Sequence, residues 1–110
     1  MRQALITLAQ RVTDGDLRYV ERFIRAKVQY WSARMHALRP ETLPVARHYL
    51  ERLHQTDPGF DTRIIDALIL EAEENIDDAL QMLRDIDTLD GRATFFAILF
   101  GRRSAETALS

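Results

Sequence analysis

The 110-residue chain contains no cysteine. That excludes a disulfide framework, a thiolate zinc site and a cysteine nucleophile, and it fits a reducing compartment. Glycine and proline are scarce, at four and three residues. So few turn-formers rule against a many-stranded β fold and favour long helices. Lysine is nearly absent: the basic residues are 14 arginines and Lys27. Arginine codons are rich in G and C and lysine codons in A and T, so this bias points to a GC-rich, bacterial genome. No apolar run approaches the roughly 18 residues that span a bilayer. Gln10 and Arg11 interrupt the N-terminal apolar stretch, leaving no signal core. The expectation is a cytoplasmic protein with no membrane partner. Gly15, Gly59, Gly91 and Gly101 stand alone, so there is no phosphate-cradling glycine loop. Ser32 and Ser104 lack a nucleophile's surroundings. His48 and His54 are six residues apart, on different helix faces, and with His36 make no metal-ligand spacing. No cofactor and no catalytic residue is expected.

What is present describes a globular chain. Hydrophobic residues make up 46% and charged residues 29%, a balance that supports a packed core rather than disorder. The length suits one domain able to fold without staples. The net charge of −2 hides an asymmetry. Residues 1–39 hold eight Arg/Lys against three Asp/Glu, residues 40–91 hold four against thirteen, and residues 92–110 hold three against one. The sections therefore carry +5, −9 and +2.

Apolar spacing predicts six helices and a final helical stretch, an all-α fold. The first covers 2–13, with Leu5, Leu8, Ala9 and Val12 on one face. Gly15 would end it and Asp16 would cap the next. The second, 17–39, carries Leu17, Val20, Ile24, Val28, Trp31, Met35 and Leu38 at spacings of three and four, a stripe for packing against other helices. Pro40 stops it. The third, 43–56, has Thr42 as its cap and Pro44 in the first turn, with Val45, Ala46, Tyr49, Leu50 and Leu53 inward. Asp57-Pro58-Gly59 breaks the chain. The fourth, 61–74, turns Ile64, Ile65, Leu68, Ile69 and Ala72 inward and ends on a left-handed Asn75. The fifth, 77–86, carries Ala79, Leu80, Leu83 and Ile86. The sixth follows a Thr88 cap with Ala93, Phe96, Ala97, Leu99 and Phe100, until Gly101 interrupts it. Ser104 would cap a stretch through Leu109. That stretch has no stop signal, so the chain reads either as a piece of a longer helical array or as a frayed natural terminus.

Ala46, Leu50, Leu53 and Pro58 lie at offsets of 0, 4, 7 and 12, and 33 residues after Ala46 the pattern partly returns as Ala79, Leu83 and Ile86, with Gly91 in the proline's place. A weaker echo runs from Gly101 to Leu109. Over residues 44–110 this resembles the tetratricopeptide repeat, in which a small alanine lets two antiparallel helices approach and a proline closes the hairpin. The first-helix positions Ile64, Ala67, Leu68 and Glu71 depart from that family's aromatic–small–aromatic set. The resemblance implies five to seven helices in an irregular bundle or hairpin array, as a single domain of a basic hairpin over 1–39 and repeat-like hairpins over 43–110. A second resemblance, over 50–86, is to CUE or UBA-like ubiquitin-binding domains, carried by Ile65, Ile69, the run Asn75-Ile76-Asp77-Asp78-Ala79-Leu80 and Leu83. That family's Met-Phe-Pro loop is here Leu53-His54-Gln55-Thr56-Asp57-Pro58, and its paired leucines are Leu83-Arg84, so both ubiquitin-contacting motifs are missing.

These features point to binding another protein or a peptide. Short acidic tetratricopeptide-like chains resemble type III secretion chaperones, which implies an export chaperone or adaptor. Adjacent aromatics cannot both be buried on a narrow helical stripe, so Tyr30, Trp31 and Phe95 are candidate anchors in a surface groove. Arg18, Arg22 and Arg25, at i, i+4 and i+7, form a basic row. They are expected to meet the acidic middle of the chain, within one molecule or between copies in a homo-oligomer. The alternative is that they contact nucleic-acid phosphates. Glu71, Glu73, Glu74, Asp77 and Asp78 form an acidic face without the alternating oxygens and central glycine of a calcium loop.

Overall fold

The computed structural model describes the backbone of residues 14–109 and the side chains of residues 18–101. The expected helix over 2–13, with Arg11, lies outside the described residues, as do the side chains of Leu17 and Ser104. All regular structure described is helical. Helix α1 spans Asp14–His36, a 3-10 turn covers Pro40–Thr42, α2 spans Leu43–Thr56, α3 Arg63–Ala72, α4 Ile76–Arg84 and α5 Leu89–Leu109.

Local chemistry accounts for most boundaries. Helix α1 already runs through Gly15 and Asp16, so neither ends nor caps a helix. Thr42 does not cap α2 through its side chain. Its hydroxyl instead donates back to the His36 carbonyl at 2.6 Å, satisfying an orphan acceptor at the end of α1. Pro44 does sit in the first turn of α2. After α2, the Asp57 carboxylate accepts from the Gly59 amide at 3.2 Å. The Asp61 carboxylate accepts from the Arg63 amide at 3.1 Å, holding the start of α3. Thr88 acts as expected: its hydroxyl oxygen accepts from the Gly91 amide at 3.0 Å, an N-cap on α5. Gly101 does not interrupt α5, which continues past Ser104 to Leu109. A lone glycine costs a helix only about 1 kcal/mol, and the long frame around it carries on.

The end of α3 is a Schellman turn whose left-handed residue is Glu74, at φ 67°, rather than Asn75. The Asn75 amide donates to the Leu70 carbonyl at 2.8 Å and the Glu74 amide to the Glu71 carbonyl at 2.9 Å, the two bonds that define this closure. A side chain in the left-handed region costs about 1–2 kcal/mol. Glycine is free of that cost but loses more entropy on folding. Glu74→Gly is therefore expected to raise stability by about 0.5–1 kcal/mol, read as a higher denaturant midpoint at unchanged m-value. A lower midpoint would contradict the assigned turn.

The helices form two hairpins, α1 with α2 and α3 with α4, and α5 closes against α4. Two core clusters result. The first joins Ala26, Tyr30 and Ala33 of α1, with Ala37 just after it, to Leu43, Ala46 and Leu53 of α2 and Ile65, Leu68 and Ile69 of α3. The second joins Ala67 of α3 to Ala79, Leu83, Ile86 and Ile98. Helix α3 belongs to both and is the keel of the molecule.

Two inward faces differ from expectation. In α1 the buried residues are Ala26, Tyr30 and Ala33, with Ala37 just after it, while the stripe of larger residues faces away. In α5 the inward positions are Gly91, Thr94 and Ile98, while Phe96 and Phe100 are exposed. Val45 is also exposed, displaced from the core by Ala46 and Leu43. In α1 the cause is the small radius of alanine. Three alanines on one face let α2 lie close, and that gain wins over burying the bulkier face.

Candidate functional site

Helix α1 is apolar on two faces. At 100° per residue the alanine face and the stripe of Val20, Ile24, Val28, Trp31, Met35 and Leu38 are about 140° apart. The alanine face is used. The six residues of the stripe keep between 46% and 65% of their surface accessible. Scattered apolar side chains are ordinary on a protein surface; here they form one continuous row.

The C-terminal half of this stripe becomes one wall of a groove of about 580 Å³ between α1 and α5. Trp31, Met35 and Leu38 face Ala93, Ala97 and Ile98 across it, and Leu68 and Glu71 of α3 lie at its floor. One edge is pinned by Arg34, whose guanidinium donates to both carboxylate oxygens of Asp90 at 2.7 Å. Arg34 also donates to the Tyr30 hydroxyl at 3.1 Å and lies over the Trp31 ring, 5.0 Å from its centroid. A planar fork held on two sides orients the indole that stacks on it. The bridge holds the Asp90 carboxyl below its usual range, chiefly through the hydrogen bonds from Arg34. Burial pushes the Glu71 carboxyl above its usual value. That places one poorly solvated acid at the floor of an otherwise apolar groove.

Of the aromatic anchors expected from sequence, Trp31 alone is fully presented. Tyr30 is 8% exposed, packed 5.2 Å from the Phe60 ring with its hydroxyl bound by Arg34, so it belongs to the core. Phe95 is half-buried against the second cluster. The exposed member of its pair is Phe96, stacked on Phe100 at 5.8 Å. Adjacent aromatics do divide between core and surface, but in each pair periodicity alone did not say which goes where. Met35 and Leu38, expected to pack against other helices, are likewise exposed. The signal that separates them is the second row, Ala26, Ala33 and Ala37, at equally good helical spacing.

The acidic face is spread over the end of α3 and the start of α4. Among the described residues no group of three His, Cys, Asp or Glu side chains is placed to hold a metal ion. Glu73 pairs with Arg47 at 2.9 Å. The basic row does not meet the acidic middle within the chain. Among the described residues the ion pairs are Arg34–Asp90, Arg47–Glu73, Arg63–Asp61 and Arg92–Asp87, and none involves Arg18, Arg22 or Arg25. The hairpin turns these three towards α2 instead, beside Arg52. Among the described residues, no helix is long and apolar enough to cross a membrane. No family model, curated protein or solved structure matches this chain.

Proposed function

We propose that this chain is a protein-interaction module of the helical-hairpin type, which receives an amphipathic helix or peptide of a partner on the outer stripe of α1 and in the groove between α1 and α5. One observation carries the reading. Five large apolar residues of α1, continued by Leu38 just after it, stand in a row facing outward, while the inward face is built from alanines and Tyr30. Helix-in-groove recognition uses such a surface, with anchors at one-turn intervals entering an apolar trough. A tetratricopeptide-like arrangement fits this role. Ala46 and Ala79, 33 residues apart, are both fully buried in the second helices of successive hairpins. An export chaperone or adaptor is the form of the activity that the short, net-acidic chain favours.

The charge beside the stripe selects among partners. Helical phase puts Lys27 along one edge of the stripe and Glu21 along the other. A partner helix with an acidic residue set to meet Lys27 and a basic one set to meet Glu21 fits this surface.

The test is capture of a partner by the intact protein, then by Trp31→Ala and Met35→Lys. Both residues are exposed, so each variant should melt close to the parent, within about 0.5–1 kcal/mol. Affinity should fall by about 2 kcal/mol or more at Trp31, the rigid aromatic anchor. Retained affinity in both variants would refute the assignment. A large loss of stability in both would mean that the stripe is core.

A further inference from the structure

On the side of α1 away from the groove, a second cleft of about 710 Å³ opens between α1 and α2. Arg18, Arg22 and Arg25 of α1 and Arg52 of α2 line it, with Glu21 as its one carboxylate. We infer that this four-arginine cleft binds a short ligand carrying two or more phosphate groups. The inference stands apart from the groove and does not depend on it.

Charge comes first. Four guanidinium groups against one carboxylate leave an excess of three positive charges in one open cleft. Elsewhere Arg34, Arg47, Arg63 and Arg92 each hold a carboxylate, while Arg39 and Arg84 stand singly on the surface. The four cleft arginines hold none among the described residues. Acid is not in short supply, since the chain has 17 Asp and Glu against 15 Arg and Lys. Arg18 and Arg22 at i, i+4, and Arg22 and Arg25 at i, i+3, repel one another on the helix surface. The partial negative charge at the C-terminal end of α2 offsets some of this, yet no described hydrogen bond runs from these guanidinium groups to its last carbonyls. An external anion relieves the repulsion.

Shape and polarity narrow the ligand. The volume lies within the roughly 300–1,000 Å³ range of small-molecule sites, but those are usually apolar. Here arginine and amide side chains make the walls, which excludes a neutral apolar ligand. Arg18 to Arg25 is a rise of about 10 Å along the helix, too long for a single phosphate to engage every arginine. Each phosphate group brings a charge of about −1.5 to −2, so two match the cleft. Guanidinium forks bind phosphate oxygens bidentately. The Gln29 amide oxygen, on the same wall, is the one buried side-chain polar atom among the described residues without a hydrogen-bond partner. Such an atom costs about 1–3 kcal/mol, which a hydroxyl or N–H on the ligand would recover after a small shift of the amide. A long polyanion fits less well, because residues 40–91 carry −9 and repel whatever extends beyond the cleft.

Calorimetric titration of the full chain with inorganic triphosphate, and separately with a single-stranded oligonucleotide and an oligo-glutamate peptide, tests this. Triphosphate should bind at low salt and weaken steeply as salt rises. Arg22→Gln and Arg52→Gln, on different helices, should each weaken it about tenfold or more. Arg84→Gln, an exposed arginine outside the cleft, should leave it unchanged. Circular dichroism melts check the variants, and if one fails to fold the other decides. Amide shifts on adding triphosphate should centre on Gln29 and Gln55. No binding of triphosphate at low salt overturns the site, and so does an equal loss in Arg84→Gln. Tighter binding of the oligonucleotide overturns the short ligand, and equal binding of the peptide overturns phosphate.

Discussion

Leucine in place of Ala46 or of Ala79 is expected to lower stability by about 1–3 kcal/mol in each case, seen as an earlier denaturant midpoint. Both alanines are fully buried. Ala46 faces the alanine side of α1, where Ala26, Ala33 and Ala37 leave no side chain long enough to swing aside. Ala79 lies in the second cluster with Ala67, Leu83, Ile86 and Ile98. Close-packed interiors of this kind relax only partly around added methylenes. The two sites sit in different clusters, so their costs should add within about 0.5 kcal/mol in the double variant. Val45→Leu is the control: it neighbours Ala46 in the chain but is exposed, and should be neutral within about 0.5 kcal/mol. If both alanine variants melt like the parent, the shared register of α2 and α4 is wrong, and the repeat-like reading goes with it.

Helix content was legible in the sequence because scarce glycine and proline, together with spacings of three and four, leave few other options. Four of the expected helices match α1 to α4 with ends shifted by a few residues, and Asp57-Pro58-Gly59 separates α2 from α3 as expected. The faces were legible where one row alone was apolar. Helices α3 and α4 turn Ile65, Leu68, Ile69, Ala79 and Leu83 inward, as their spacing predicts. Helix α1 has two apolar rows, and residue size pointed to the wrong one. The larger row carries more hydrophobic surface, but the alanine row permits a closer hairpin. In α5 the inward choice of Gly91, Thr94 and Ile98 over Phe96 and Phe100 has a similar origin. The first turn must clear Ile86, which only the smallest residue can do. The arginine row was visible from i, i+4, i+7 spacing. Its companions Arg52 and Gln55 come from another helix and needed the hairpin geometry to be found.

The missed surface and the missed face of α1 are one fact. A helix that buries alanines and displays Val28, Trp31, Met35 and Leu38 gains little apolar burial per residue from its own hairpin. At roughly 25 cal/mol per Å², the larger share of its hydrophobic free energy is still available to a partner. The inward alanines set the hairpin, and the outward residues are free to be optimised for something else. This division is why a change at Met35 should be tolerated by the fold while a change at Ala46 should not.

Gly91 and Gly101 lie on the same helix, and alanine at the two should have opposite effects. A β-carbon built on Gly91 falls 2.3 Å from Ile86 Cγ2 and 2.8 Å from its Cβ. Both are far inside van der Waals contact, and Ile86 is itself 4% exposed and locked in the second core cluster. The chain turns from α4 into α5 within a few residues, so Ile86 must lie directly against the first turn of the next helix. Gly91→Ala is expected to destabilise by about 1–3 kcal/mol, at the upper end because a β-branched neighbour has little rotamer freedom to yield. At Gly101 no atom lies within 4 Å of the added carbon, and the backbone is helical, so Gly101→Ala should stabilise by about 0.4–1 kcal/mol. Shortening the obstructing side chain separates clash from propensity. In an Ile86→Ala background, which itself costs about 2–5 kcal/mol, the Cγ2 clash is gone while the Cβ remains close, so the further change at Gly91 should cost less than in the parent. The coupling between the two sites should then be about 0.5 kcal/mol or more. Additive losses across that cycle would show that Ile86 does not meet the first turn of α5, and the packing of the second hairpin against the last helix would have to be redrawn.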